Sequence, residues 1–273
     1  MTAQWEAKNK NCLITGAASG LGAAYAEALL KEGAKKVAVV DIDENTGQNF
    51  VAKLNETYKN AAIFVKCDVS KESEIENCFK TVVKEFGRVD VLINNAGIMS
   101  DLETTWRLAT DINYQGLVSF TLKAVKHMRK DEGGAGGVIV NISSTAGLSK
   151  VNTFPIYCGS KAAVRYFTQS LAMPPFFEDT GIRVMALCPG ATATKLVENL
   201  DKKVVDMKNS KMMEELFGNV HIQSVESTVA VMHKMLKDGN NGSIWLSNKD
   251  QPPYELTSHI DKFFTDVEEL VSP

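Results

Sequence analysis

Short apolar runs alternate with longer segments of helical period along most of the chain. The apolar runs are rich in Val, Ile and Leu, which is typical of buried strands. We predict strands at Asn11–Thr15, Lys36–Asp41, Ala62–Asp68, Val89–Asn94, Val138–Ser143, Gly181–Cys188 and Gly242–Leu246. We predict helices between them at Leu21–Glu32, Thr46–Tyr58, Glu72–Phe86 and Thr105–Lys130.

Continuous apolar strands that alternate with helices indicate a parallel sheet covered on both faces. We therefore predict an α/β fold in which residues 1–273 form a single doubly wound domain. Its parallel sheet should have about seven strands, with helices on both faces. Ligands of such sheets bind beyond the carboxyl ends of the strands, so polar motifs at those ends are the candidate site.

Composition and charge narrow the class of protein. Apolar residues make up 44% of the chain, enough for a sizeable core, and a formal charge of −3 favours neither nucleic acid nor an anionic membrane. The polar amino terminus and the lack of long apolar stretches predict no secretory signal and no membrane span. Five scattered cysteines and four scattered histidines indicate neither a disulfide framework nor a metal site. We expect a reducing, cytoplasmic compartment.

A glycine-rich segment, TGAASGLG at Thr15–Gly22, joins the first predicted strand to the first predicted helix. Glycines let the backbone approach a pyrophosphate, and the helix amino terminus offers free N–H groups to the phosphates. Its spacing is Gly-x3-Gly-x-Gly, and an ordinary strand-to-helix turn is the alternative. The residues predicted to contact a dinucleotide here are Gly16, Ser19, Gly20, Leu21 and Gly22.

An aspartate, Asp41, ends the second predicted strand, 19 residues after Gly22. A carboxylate at this position accepts hydrogen bonds from the adenosine ribose and repels a 2′-phosphate. No basic residue that would neutralise such a phosphate occupies the glycine segment or Ile42. We therefore predict NAD rather than NADP, with contacts from Asp41 and Ile42. The alternative is a solvated turn aspartate.

Small and polar residues also follow the third and fourth predicted strands, as Asp68-Val69 and as NNAG at 94–97. Small residues permit close approach of a ligand, and Asn side chains fix neighbouring loops. An ordinary turn is the alternative at each place. Because the motifs lie at successive strand ends, we predict a shared ligand contacted by Asp68, Val69, Asn95, Ala96 and Gly97.

Tyr157 and Lys161 lie one helical turn apart and project on the same face, and Ser144 ends the fifth predicted strand. Alcohol oxidation or carbonyl reduction moves a proton at the substrate oxygen while hydride moves at carbon. A phenol can move that proton when a nearby positive charge stabilises its phenolate. A hydroxyl such as that of Ser144 can hold the substrate oxygen. A surface helix contact and a helix cap are the alternatives.

Taken together and in order, these motifs resemble the short-chain dehydrogenase/reductase family from Asn11 to about Leu246. The resemblance rests on TGAASGLG, Asp41, Asp68-Val69, NNAG, Asn113, ISS at 142–144, YCGSK at 157–161 and PGATAT at 189–194. It implies a Rossmann fold and an NAD-dependent alcohol dehydrogenase or reductase.

The resemblance also implies roles for individual residues. Tyr157 is the catalytic acid/base, Lys161 lowers its pKa and binds the nicotinamide ribose, and Ser144 orients the substrate. Ser144 is chosen over Ser143 because it lies 13 residues before Tyr157. Asn113 takes part in a water-mediated proton relay through Lys161. The segment expected to hold the nicotinamide carboxamide comprises Pro189, Gly190, Thr192 and Thr194.

Within the family, the chain is most similar to the branch of 15-hydroxyprostaglandin dehydrogenases and insect-type alcohol dehydrogenases, in VDVLINNAGI, GIRVMALCPG and NGSIW. This implies NAD-linked oxidation of a lipophilic secondary or allylic alcohol, prostaglandin-like or isoprenoid, by a homodimer or homotetramer. Two alternatives stay open: a reductase of a retinoid- or steroid-type carbonyl, and a non-catalytic NAD-binding sensor.

The sequence also supports predictions for three further segments and for the substrate contacts. Pro174-Pro175 should end the helix that carries Tyr157 near Ala172, which puts the packing of any subunit interface there in doubt. Residues 195–221 mix charges with Met and Leu and predict an adaptable apolar lid, or else an amphipathic helix pair packed on the domain. We expect Leu148 and Phe154 to contact the substrate beside Ser144 and Tyr157. The tail, 251–273, has helical character near Ile260–Leu270.

Overall fold

The computed structural model describes residues 5–205, 218 and 220–271. In that part of the chain, eight strands form one sheet in the order β3-β2-β1-β4-β5-β6-β7-β8, and only β8 is antiparallel to its neighbour. The strands are β1 Asn11–Thr15, β2 Lys36–Asp41, β3 Ala62–Lys66, β4 Val91–Asn94, β5 Gly137–Ile142, β6 Ile182–Pro189, β7 Ile244–Ser247 and β8 Tyr254–Glu255.

Helices connect the strands and cover both faces of the sheet. They are α1 Gly20–Lys31, α2 Glu44–Tyr58, α3 Glu72–Phe86, α4 Trp106–Thr110, α5 Leu117–Met128, α6 Pro155–Leu171, α7 Phe176–Thr180, α8 Val225–Asp238 and α9 Thr257–Val271. A π-helical turn, Asp111–Gly116, joins α4 to α5, and short 3-10 turns occupy Lys130–Glu132, Thr145–Gly147, Lys195–Val197 and Leu200–Lys202. Among these helices, none is long and apolar enough to cross a membrane.

Successive residues of the central strands face opposite helical layers. In β1, Cys12 and Ile14 belong to the core that α1, α2 and α8 cover, whereas Leu13 belongs to the core under α3 and α5. All three side chains are fully buried. A strand buried on both faces is apolar throughout, and this explains the continuous runs in the sequence. The doubly wound α/β prediction is confirmed.

The strand order reverses between β1 and β4, where the chain returns from the β3 edge to extend the sheet in the other direction. Loops that follow the two strands on either side of such a reversal diverge and leave a crevice at the carboxyl edge. The glycine segment follows β1 and the NNAG motif follows β4. The topology thus brings both motifs to one crevice.

The helix predicted over Thr105–Lys130 is interrupted by the π-helical turn Asp111–Gly116. Two contacts explain the interruption. A side chain at Gly116 would collide with the carbonyl oxygen of Val69, and the Asn113 amide is bonded to the backbone of Ile98. Wider turns of this kind are common at functional sites. Apolar periodicity alone does not reveal the extra residue.

Two further outcomes concern the carboxyl-terminal half. The helix that carries Tyr157 ends at Leu171 with Ala172 as its cap, as Pro174 predicts. The tail contributes β8, which the sequence does not predict because two residues are too few to show an alternating pattern. It also contributes α9, which extends the predicted helix. Of the predicted lid, residues 206–217 and 219 lie outside the described residues.

Candidate active site

The loops at the carboxyl edge of the sheet enclose a cavity of about 890 Å³. Most of the predicted cofactor residues line it: Gly16, Ser19, Gly20, Leu21, Asp41, Ile42, Asp68, Val69, Asn95, Ala96, Gly97, Pro189, Gly190, Thr192 and Thr194. The side chains predicted to act on substrate, Ser144, Phe154, Tyr157 and Lys161, line the same cavity. Residues from six loops of the chain thus converge on one space because parallel strands end at the same edge of the sheet.

Three predicted residues do not line this cavity. Gly22 lies beneath the glycine loop, and Asn113 is fully buried in the π-helical turn. Leu148 is 38% exposed and lines a neighbouring depression with Pro155. Ala146 lines both spaces and stands between them. The substrate contact expected of Leu148 is therefore not supported by its position.

The glycine loop turns back on itself before α1. Gly16 and Gly20 have positive φ angles, of 63° and 57°, which favour glycine. A side chain at Gly22 would collide with the Gly16 carbonyl and with the Asn95 amide, so loop and helix need a glycine there. Ser19 precedes α1 without capping it through its side chain. The first N–H groups of α1 therefore remain available at the cavity wall, a cradle that fits a phosphate.

Asp41 holds the end of β2 against the glycine loop. Its Oδ2 accepts a hydrogen bond from the Ala18 N–H at 2.9 Å, and its Oδ1 accepts one from the Asp43 N–H at 3.0 Å. An ionised carboxylate accepts about two bonds at each oxygen, so both oxygens keep capacity for a ligand. The carboxylate lines the cavity, and the ribose contact of Asp41 stays a prediction.

Asn95 joins the end of β4 to the glycine loop. Its Nδ2 donates to the carbonyl oxygens of Thr15 and Gly16, at 2.9 and 3.0 Å. The Thr15 hydroxyl in turn accepts from the N–H groups of Asn95 and Ala96, both at 3.0 Å. The amide of the NNAG motif thus fixes the shape of the phosphate cradle across two neighbouring strands.

Tyr157 and Lys161 lie in the first two turns of α6, and each is only 4% exposed. The Ser144 hydroxyl lies close enough to the Tyr157 phenol to lower its pKa, and its Oγ donates to the Pro189 carbonyl at 3.3 Å. Lys161 Nζ donates to the Ile142 carbonyl at 2.9 Å and lies 5.9 Å from the centre of the Tyr157 ring. The three groups that the sequence singled out are therefore adjacent.

The pKa of Tyr157 differs from the expectation. Burial raises the pKa of the phenol to about 12, and the hydrogen bond from Ser144 opposes that rise only in part. Burial also lowers the pKa of Lys161 to about 8. Both shifts have one cause, because a low-dielectric wall disfavours the charged form of each group. The lowering expected from Lys161 is not among the causes that set the pKa of the phenol, and the largest of those causes is burial.

Asn113 is held rigidly beside Lys161. Its Oδ1 accepts from the Ile98 N–H at 2.8 Å, and its Nδ2 donates to the Ile98 carbonyl at 2.9 Å. A side chain at Gly97 would lie 3.2 Å from Asn113 Oδ1 and 3.3 Å from Lys161 Nζ, so glycine leaves a gap between them. The gap is compatible with the water-mediated relay, which stays a prediction.

The apolar part of the cavity was predicted only in outline. Phe154 and Tyr157 pack against Leu200 and Val204, from the first part of the predicted lid. This cluster also includes the partly buried side chains of Met99, Ala146, Val151 and Val197.

The sequence analysis did not identify a buried carboxylate, Asp101, next to the helix of Tyr157. Its hydrogen-bond partners are 55 and 56 residues away along the chain, so no local sequence pattern indicates its role.

Lys161 should make stability depend on pH. Because its folded pKa, about 8, lies below the ordinary 10.5, the unfolded chain binds more protons between those values, and stability rises with pH across that window. We expect wild type to gain about 2 kcal/mol in free energy of unfolding, relative to Lys161→Met, between about pH 7 and pH 10. Urea unfolding at both pH values measures this gain, and an identical pH response of the two proteins would contradict it.

In the described part of the chain, no group of three or more His, Cys, Asp or Glu residues is placed to hold a metal ion. The wall of the cavity carries hydroxyl, phenol and amine groups beside the phosphate cradle.

Comparison with known proteins gives consistent matches. The family model described as short chain dehydrogenase matches residues 10–205. The NAD(+) 15-hydroxyprostaglandin dehydrogenase of Mus musculus is 37% identical over 242 residues, which cover 86% of this chain and 88% of that protein. Alcohol dehydrogenase 2 of Ceratitis cosyra is 32% identical over 88% of this chain and 92% of its own. The crystal structure of levodione reductase matches with a TM-score of 0.77 and 29% identity, over 89% of this chain and 97% of that one.

Proposed function

Because the chain belongs to the short chain dehydrogenase family, we propose that it interconverts a lipophilic secondary or allylic alcohol and its ketone, with Tyr157 as the acid/base. It is an NAD-dependent oxidoreductase, and the resemblance to the branch of prostaglandin and insect alcohol dehydrogenases is confirmed. One observation carries the proposal: the phenol of Tyr157 and the hydroxyl of Ser144 line the same cavity as the phosphate cradle.

The residues of the cavity fit NAD. The cradle at Gly16–Leu21 would hold the pyrophosphate, and Asp41 would accept the hydroxyls of the adenosine ribose. Lys161 would bind the nicotinamide ribose, and Thr192 and Thr194 would face the carboxamide. Bound NAD supplies the hydride acceptor in oxidation, and its reduced form supplies the donor in reduction.

Side chains of the protein transfer the proton at the substrate oxygen. In the oxidation direction, Ser144 holds the hydroxyl oxygen of the substrate, and that hydroxyl gives its proton to the phenolate of Tyr157. The ammonium group of Lys161 stabilises that phenolate, since opposite charges in a buried site favour each other. In the reduction direction, the neutral phenol donates its proton to the ketone oxygen. Its raised pKa keeps it protonated at neutral pH, so reduction finds the phenol in its reactive form there, whereas oxidation needs a pH high enough to form the phenolate.

The substrate should be largely apolar beyond its hydroxyl group. Phe154 and Val204 are fully buried on the substrate side, and Leu200, Met99 and Val151 line or support the same region. The ammonium group of Lys203, in the same region, is already bonded within the chain, because its Nζ donates to the Glu198 carbonyl at 2.9 Å. An aliphatic or isoprenoid chain would replace water against these side chains and gain free energy with each carbon buried.

A homologous series of secondary alcohols tests the substrate class. We expect kcat/KM with NAD to rise about fourfold for each added methylene until the cavity is full, because each buried methylene contributes about 0.8 kcal/mol. Val151→Asn should flatten this rise, since Val151 lines the cavity. Val83→Asn is the matched control, because Val83 is also partly buried but lies in α3, away from the cavity.

Initial rates are followed by the absorbance of the reduced nicotinamide. A kcat/KM that does not change with chain length would contradict the apolar substrate, while turnover of the ketones alone would favour the reductase alternative. Measurable NAD binding without turnover of any alcohol or ketone would favour the sensor alternative instead.

A further inference from the structure

Asp101 is a buried carboxylate that the chemistry described above does not use. It lies in the segment between β4 and α4 and is only 1% exposed. Its Oδ2 accepts the N–H of Ile156 at 2.6 Å, and its Oδ1 accepts the N–H of Tyr157 at 2.9 Å. Each carboxylate oxygen therefore holds one backbone amide at the start of the helix that carries the proposed acid/base.

These two bonds complete the amino terminus of α6. The first residue, Pro155, has no N–H group, and the N–H of Cys158 donates to the Phe154 carbonyl at 2.9 Å. Phe154 provides no side-chain cap, so Ile156 and Tyr157 carry the two first-turn donors that need an acceptor. Asp101 supplies it from a distant segment, and its negative charge faces the positive end of the helix.

Asp101 also contacts the substrate side of the cavity. Its own N–H donates to the carbonyl oxygen of Lys203 at 2.8 Å. Lys203 lies between Leu200 and Val204, which are buried against Phe154 and Tyr157. One residue thus joins the start of α6 to the segment that forms the apolar wall.

Among the described groups around Asp101, no basic side chain forms an ion pair with it. Burial raises its pKa, and the two N–H donors of Ile156 and Tyr157 oppose that rise. A carboxylate kept in a buried place without a cation is costly. Each of its oxygens accepts an N–H at the start of α6, and these two bonds fix the position of that helix end.

We propose that Asp101 is a positioning residue that fixes the backbone of Tyr157, keeps its phenol within reach of Ser144, and couples it to the substrate-side segment at Lys203. The kinetic part of this proposal rests on the proposed function, whereas the structural part does not. A misplacement of reacting groups by about 1 Å lowers rates by up to about a hundredfold.

Asp101→Asn tests the proposal, because a carboxamide keeps one acceptor oxygen and turns an N–H donor toward the second amide. We expect kcat to fall about tenfold to a hundredfold while KM for NAD changes less than about twofold. Hydrogen–deuterium exchange in a peptide covering 154–161 should become faster, since Ile156 or Tyr157 loses its acceptor.

Asp90→Asn is the matched control. Asp90 is 4% exposed and its Oδ2 accepts the N–H of Asn11 at 2.8 Å, but it lies at the opposite edge of the sheet. This variant should lose stability without losing kcat and without faster exchange at 154–161. Asp101→Glu keeps the charge and displaces the carboxylate, and it replaces Asp101→Asn if that variant does not fold. Asp101→Glu should lower kcat and speed exchange at 154–161 to a smaller extent than Asp101→Asn does.

The exchange rate at 154–161 and kcat together distinguish a failure of this proposal from a failure of the proposed function. Unchanged exchange at 154–161 in the Asp101 variant overturns the proposal, and so does a loss of kcat no larger than that of Asp90→Asn. If wild type turns over no alcohol or ketone, the proposed function fails, and the exchange rates alone decide whether Asp101 holds α6.

Discussion

Tyr157→Phe is expected to lower kcat by about a thousandfold while the Kd for NAD stays within about twofold. Phenylalanine keeps the ring that packs against Phe154, Leu200 and Val204, so only the phenolic oxygen is lost. Without that oxygen, the substrate hydroxyl has no group on the wall to take its proton. Steady-state rates measure kcat, and calorimetric titration with NAD measures binding.

Tyr25→Phe is the control for Tyr157→Phe. Tyr25 is 1% exposed in the core beneath α1, and its hydroxyl has no hydrogen-bond partner among the described residues. Its removal should leave kcat within about twofold of wild type. If Tyr157→Phe retains a tenth of the wild-type kcat, Tyr157 is not the acid/base.

Ser144→Ala should lower kcat by about a hundredfold or more, as removal of a donor at a reacting oxygen does in other enzymes. The Ser144 hydroxyl lowers the pKa of the Tyr157 phenol and donates to the Pro189 carbonyl. Its removal also takes away the bond that lowers the pKa of the phenol. The rate of oxidation should therefore need a higher pH in this variant than in wild type, which a pH series of kcat measures.

Ser143→Ala separates the two adjacent serines. Ser143 is also buried, but its Oγ donates to the Lys161 carbonyl at 2.7 Å and so serves the packing of α6 on β5. We expect Ser143→Ala to lower the melting temperature more than it lowers kcat. A larger loss of kcat in Ser143→Ala than in Ser144→Ala would reverse the assignment.

Much of the fold follows from the sequence because its strands are buried on both faces. Strands β1 and β2 have the predicted bounds, and the other parallel strands begin and end within two residues of theirs. Once the strands are parallel, Asp41, Asn95 and Ser144 have to meet at one edge, and the structure brings them to one cavity. Convergence of this kind needs topology but no atomic detail.

What the sequence does not reveal depends on contacts between distant segments. The turn at Asp111–Gly116 packs closely against the backbone of Val69, and the cap of α6 comes from Asp101. The pKa of Tyr157 is set by how deeply its ring is buried, which a Tyr-x3-Lys spacing does not encode. The oligomeric state and the compartment stay predictions.

Transfer of deuterium tests the central claim most directly. Wild-type protein is incubated with NAD and a lipophilic secondary alcohol that carries deuterium on its hydroxyl-bearing carbon, and the reduced nicotinamide is analysed by mass spectrometry. We predict one deuterium in each reduced nicotinamide formed, and formation at least tenfold slower with NADP, because Asp41 repels the 2′-phosphate. NAD that binds but acquires no deuterium from any alcohol in the series would contradict hydride transfer by this protein.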